Sequence, residues 1–137
     1  MTNSKLRRED LVYPELCFKI VGVLFEVYNE LGYGHSEKVY QKAVAIALKN
    51  AGLKFTEQKY YPLMFQGEKI GSGYFDFIVE EIIVLELKKG DRFVKAHIDQ
   101  VNEYLVSNKL KLGILAYFAP RNLHYKRIVN IEGVANS

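Results

Sequence analysis

At 137 residues, with 49% hydrophobic and 26% charged side chains, the chain has the size and composition of one soluble globular domain with a substantial core. Its net charge of +3 permits a nucleic-acid partner without requiring one, and its one cysteine, Cys17, excludes an internal disulfide framework or a cysteine-based zinc cluster. No start segment reads as a secretory signal and no apolar run approaches membrane-spanning length, so a cytoplasmic protein with no membrane partner is expected.

Residues 1–10 are polar, with Lys5, Arg7 and Arg8, and read as a flexible N-terminal tail; 11–131 read as a single domain and 132–137 as a C-terminal tail. A first helix is predicted from Pro14, with Leu16, Ile20, Leu24, Val27 and Leu31 at helical spacing and Gly32 and Gly34 stopping it. The run GYGHSEKVY opens a second helix to about Asn50. On it Glu37, Tyr40 and Val44 share one stripe, while Val39, Ala43, Ile46 and Ala47 are expected to supply packing. By itself, a glutamate in a first helical turn is most often a dipole partner or cap.

Gly52 ends that helix, and a strand follows around Gln58 to Phe65, with Pro62 marking an edge or a bulge. Gln66-Gly67-Glu68 is a turn signal, and Ile70 to Val79 a second strand. The next strand is the apolar run Ile82-Ile83-Val84-Leu85 continuing to Lys88, as expected for a strand covered on both faces. Each member of this hairpin carries one acid where a core residue belongs, Asp76 and Glu86. A buried carboxylate costs on the order of several kcal/mol unless a cation or strong donors meet it.

Hairpin parity decides how the acids relate. A two-residue loop at Glu80-Glu81 pairs Val79 with Ile82 and sends the acids to opposite faces. A three-residue connection pairs Val79 with Ile83, Phe77 with Leu85 and Phe75 with Leu87 on one apolar face, and Ile78 with Val84, Asp76 with Glu86 and Tyr74 with Lys88 on the other. The second register separates a core side from a polar end, and it sets two carboxylates together, which is unfavourable unless a metal or a proton lies between them.

Lys89-Gly90-Asp91 breaks the strand, and Arg92 to Asn108 form a third predicted helix. Val94, Ile98, Val101 and Leu105 make its core face; His97, Gln100 and Tyr104 lie along a neighbouring polar face. Ordinary roles for these three are a boundary histidine, a solvated glutamine and a tyrosine with its hydroxyl in water. KLGILAYF, residues 111–118, is another buried strand, and His124 to Ile131 a last strand or short amphipathic segment. The whole reads as α/β, a mixed central sheet flanked by helices.

Lys88 lies two residues after Glu86, on the same face. An acid on one strand followed by acid-x-lysine on the next supplies oxygen ligands for a hard divalent ion and an ammonium for a phosphate. Asp76 followed by Glu86-Leu87-Lys88 resembles the PD-(D/E)XK nuclease superfamily, and Gly34-x-x-Glu37-x-x-Tyr40 resembles the opening signature of the GxxExxY protein family within it. The run His97-x-x-Gln100-x-x-x-Tyr104-Leu105 is similar to the corresponding stretch of that family and of the exonuclease-type branch. The likeness continues through Leu112-Gly113-Ile114-Leu115 and Lys126-Arg127-Ile128; Tyr117 departs from it, standing where members commonly carry asparagine, outside the acid cluster.

The resemblance implies a restriction-endonuclease-like core and a nuclease that cleaves phosphodiester bonds of DNA, ahead of RNA, with Mg²⁺ or Mn²⁺. It implies Asp76 and Glu86 as metal ligands with the Leu87 carbonyl and waters. Glu37 would ligate directly, bind a second ion or hold the water network. Lys88 would stabilise transition-state charge, and Gln100, Tyr104 and, less directly, His97 would position nucleic acid. A homodimer or a partner protein would help so small a core grip a duplex. Two other readings remain: a catalytically silent nucleic-acid- or protein-binding module on the same fold, and an ordinary salt-bridged network in a protein of other function.

Overall fold

The computed structural model describes residues 12–132; the tail expected at 1–10 lies outside them, as does nearly all of that expected at 132–137. The elements in chain order are α1 (Pro14–Leu31), α2 (Glu37–Asn50), β1 (Phe55–Phe65), β2 (Glu68–Val79), β3 (Ile83–Lys89), α3 (Lys95–Ser107), β4 (Leu112–Phe118) and β5 (Leu123–Val129). Five strands form one sheet in the order β1-β2-β3-β4-β5, antiparallel throughout except for the parallel β3–β4 pair, whose crossover is α3. α1 and α2 cover one face, packing on Phe77, Ile83, Leu85, Leu87 and Phe118; α3 covers the other, packing on Phe75, Val84, Leu115 and Tyr117. The expected α/β architecture with a mixed central sheet is the one observed, and β3, bearing Glu86 and Lys88, is its middle strand.

Local chemistry sets the boundaries. Pro14 opens α1, where its missing N–H is no loss, and Cys17, Ile20, Val23, Leu24 and Val27 point into the core. Gly32 at the far end donates its N–H to the Tyr28 carbonyl. On α2 the Ser36 hydroxyl caps the first turn by accepting from the Val39 N–H at 3.2 Å. The buried stripe of α2 is Tyr40, Val44, Ala47 and Leu48; Val39 and Ile46, expected to pack, are exposed. Tyr40 turns the helix this way: its ring is fully buried, stacked on Phe118 with centroids 4.1 Å apart, and its hydroxyl donates to the Gly32 carbonyl at 2.6 Å. An aromatic ring removes more apolar surface from water than the adjacent valine.

β1 is the edge strand, and the register shifts between Leu63 and Met64, next to Pro62. The connection from β2 to β3 is Glu80-Glu81-Ile82, with Glu80 and Glu81 both at positive φ, and it pairs Val79 with Ile83, Ile78 with Val84 and Phe77 with Leu85. α3 begins at Lys95 rather than Arg92, because Val94 is extended and offers no side-chain cap; Val94 is correspondingly exposed, while Val101 and Leu105 are fully buried. Among the described residues no helix is long and apolar enough to cross a membrane.

Candidate active site

The β2–β3 ladder stops at Phe77 and Leu85, and the expected continuation through Asp76–Glu86, Phe75–Leu87 and Tyr74–Lys88 does not form. In its place each acid supplies the acceptor that a neighbouring backbone carbonyl would have supplied. The Asp76 N–H donates to Glu86 Oε1 at 2.9 Å, and the Leu87 N–H donates to Asp76 Oδ2 at 2.7 Å. β2 is distorted on its other side too: Asp76 sits between the paired residues Phe75 and Phe77, and the β1 residue in the matching gap is Gln58, at φ 54°. A left-handed non-glycine residue inside a strand is held by its surroundings at some cost, and such strain gathers at functional sites.

The interruption changes which side each aromatic faces. Phe75 and Phe77, expected on one apolar face, belong to opposite layers, Phe75 under α3 and Phe77 under α1 and α2. Through the resulting gap the site reaches both layers. From α2, Gln41 Nε2 donates to Asp76 Oδ1 at 2.7 Å, and the Glu37 carboxylate accepts the Lys89 N–H at 2.9 Å. Toward α3, Glu86 and Lys88 follow the alternation set by Val84, and Lys88 Nζ lies 3.4 Å from Glu86 Oε2.

Burial and like charge dominate the electrostatics. Asp76 is only 6% exposed, and desolvation holds its carboxyl above the usual range, opposed by the Leu87 N–H, Glu86 and Lys88 and reinforced by Glu37. Desolvation, then the Asp76 charge, pushes Glu86 up to about 8. Burial works against the Lys88 ammonium, but Glu86, Glu37 and Asp76 outweigh it and raise its pKa. His97, on α3, is pushed down by burial and by Lys88, with Glu37 opposing.

Glu37, Asp76, Glu86, Lys88 and His97 are thus drawn toward one end of β3. Among the described residues, however, no three His, Cys, Asp or Glu side chains are placed to hold a metal ion, so the trio Asp76, Glu86 and Glu37 is not a preassembled ligand set. Glu37 is bound instead to the backbone that ends β3. The two acids still suit Mg²⁺ or Mn²⁺: such an ion takes one or two carboxylates and keeps several waters, and its charge would favour the ionised forms that burial, the main cause of both raised pKa values, disfavours.

Gln100 and Tyr104 lie further along α3. Gln100 Oε1 accepts from the Tyr61 hydroxyl at 3.3 Å, and Tyr104 meets the Phe75 ring edge to face at 5.0 Å. His97 Nδ1 is 2.7 Å from the Tyr117 hydroxyl, and Tyr117 is the β4 partner of Lys88. Sequence reasoning missed three contributors. Gln41 could have been found four residues after Glu37, on the same helical face. Tyr61 could have been suspected from its place opposite a glycine, but no sequence signal marked Tyr117 as the anchor of His97.

The family model for the PD-(D/E)XK nuclease superfamily matches residues 14–128. No curated protein matches the chain. Among solved structures, one titled "Crystal structure of SSO0001" is similar at 21% identity and a TM-score of 0.51, over 72% of this chain and 54% of that one. The present chain therefore spans about half the length of that structure, and the likeness is one of fold.

Proposed function

We propose that this chain, which belongs to the PD-(D/E)XK nuclease superfamily, is a divalent-metal-dependent nuclease that hydrolyses phosphodiester bonds of DNA, ahead of RNA, in the cytoplasm. The observation that carries the reading is the broken ladder: two adjacent acids, Asp76 buried and Glu86 half-buried, each bonded to the other's strand, with Lys88 3.4 Å from Glu86. A core with no chemistry to perform has no use for that arrangement, since removing both charges would stabilise it.

Asp76 and Glu86 would hold Mg²⁺ or Mn²⁺, which when bound supplies a Lewis acid and a more acidic water. The chain's own groups do the rest. Lys88 places an ammonium where negative charge grows on the phosphoryl oxygens. Gln41 fixes the rotamer of Asp76, and Glu37 holds the end of β3, and with it Lys88, against α2. His97, kept neutral by burial and by Lys88, and oriented by Tyr117, is available to a phosphate oxygen or a water.

Within the superfamily we assign the chain to the GxxExxY group. Supporting this, Gly34 adopts φ 114°, Glu37 reaches β3 and Tyr40 locks the loop between α1 and α2. Labelled single- and double-stranded DNA and RNA incubated with Mg²⁺ or Mn²⁺ test the reading. Cleavage by the wild type that Asp76→Ala and Lys88→Ala both abolish supports it. Binding without cleavage would make the chain a silent module; cleavage surviving both substitutions would come from a contaminant.

A further inference from the structure

A cavity of about 260 Å³ lies between β1 and α3, lined by Tyr61, Leu63, Met64, Gln100, Glu103, Tyr104 and neighbouring residues, and the acid pair does not line it. We propose that it receives one unpaired nucleobase of a single-stranded nucleic acid whose backbone passes Lys88. The proposal rests on the nuclease reading for the position of the strand, and on the cavity for what the strand must be.

The cavity is built rather than incidental. Tyr61 pairs across the sheet with Gly73, and a Cβ there would fall 2.5 Å from the Tyr61 hydroxyl oxygen and 2.6 Å from its ring, so only glycine lets the ring lie flat over β2. The ring then stacks on Phe75 at 4.2 Å and 23°, and its hydroxyl donates to Gln100. Phase of the strand and helix together thus set two aromatic rings in the cavity wall, Tyr61 and Tyr104, both backed by the buried Phe75 ring.

The lining chemistry selects the occupant. No Lys, Arg or His of the described residues lines the cavity, which disfavours a phosphate. What it offers is aromatic surface, the side-chain amides of Gln100 and Asn108, the Ser107 hydroxyl, and Glu103 at an exposed position. With Gln100 Oε1 occupied by Tyr61, its amide nitrogen is left to donate; Glu103 accepts from an exocyclic amine. A flat, neutral ring with donors and acceptors on its edge fits this set, and a cavity of about 150 Å³ already admits benzene.

The site is also at the right remove. Gly73 is three residues before Asp76, roughly 10 Å along the strand, and the Tyr61 hydroxyl, raised first by burial, also feels the charges of Glu86 and Lys88. A base in the cavity therefore belongs to a nucleotide next to the phosphate at Lys88. A paired base cannot enter without leaving its stack, so the cavity favours single strands.

The test is binding without cleavage, by fluorescence anisotropy in EDTA at low salt, using a dodecamer of deoxycytidine and its fully abasic counterpart. The wild type should bind the dodecamer about tenfold more tightly than the abasic strand. Ser107→Leu, which narrows the mouth from an exposed helix end, and Gln100→Leu, which removes the amide, should each bring the dodecamer close to the abasic value while circular dichroism shows both folded. Equal binding of the two strands by the wild type, or undiminished discrimination in both folded variants, would overturn the proposal. So would cytidine 5′-monophosphate binding as tightly as the dodecamer, because the cavity would then serve free nucleotides. Because no metal is present, failure of the nuclease reading leaves base discrimination intact, and Mn²⁺-dependent cleavage without discrimination removes only the cavity's role.

Discussion

Two halves of the same β2–β3 hairpin teach opposite lessons. From Phe77 to Val79 the strands are fully paired, with Ile83, Val84 and Leu85 wholly buried opposite them. One residue further, at Asp76, the ladder is gone, and carboxylates stand in for carbonyls. The paired half supplies stability through apolar area. The open half gives up backbone pairing and keeps two carboxyl groups within reach of Lys88, so stability and the proposed chemistry separate within a few residues.

The sharpest way to break this comparison is to damage each half alone. Phe77→Ala should cost about 3–5 kcal/mol of stability, read as a fall in melting temperature of at least about 10 °C, with cleavage per folded molecule close to wild type at low temperature. Glu86→Gln should do the reverse, lowering cleavage at least about a hundredfold while leaving the metal-free melting temperature at pH 8.5 equal to or above that of the wild type. If both substitutions move stability and activity together, the division is wrong.

A milder probe is pH in EDTA. The folded pKa of Glu86, about 8, lies above its ordinary value of 4.5, so the folded chain holds a proton that the unfolded chain has lost. The stability this contributes is complete below about 4.5 and lost as pH rises through about 8, with Asp76 shifted in the same direction. The wild-type melting temperature should fall by several degrees from pH 5 to 8.5 relative to Glu86→Gln, and millimolar Mn²⁺ should reverse the loss. The smallest effect expected is that of Gln41→Ala: cleavage down about tenfold, through a less constrained Asp76, with little change in melting temperature.

What the sequence revealed follows the same division. The paired half was legible, because period-two alternation and a three-residue connection leave one register that buries every apolar residue. Its end was not: Phe75 and Phe77 have the same parity, and only the interruption at Asp76 and the left-handed Gln58 send them to different layers. The acids and Lys88 could be named because charged residues in apolar strands stand out. Gln41 and Tyr61 leave only weaker traces, the four-residue spacing from Glu37 and the glycine opposite, and Tyr117 leaves none, since a polar residue on an amphipathic helix and a tyrosine in a strand are ordinary until the rotation of each element is known. The rotation of α2 was misjudged for a related reason, as spacing alone does not weigh Tyr40 against Val39.

The central claim is that Asp76 and Glu86 together hold one divalent ion. Calorimetric titration of Mn²⁺ into the metal-free protein at pH 7, repeated in buffers of different ionisation heat, measures both stoichiometry and proton release. The account predicts one ion per chain, with protons released as Glu86 gives up the one it holds below about pH 8, and binding that Glu86→Gln removes. Binding that Glu86→Gln leaves undiminished, or no binding to the wild type at millimolar Mn²⁺, would contradict it.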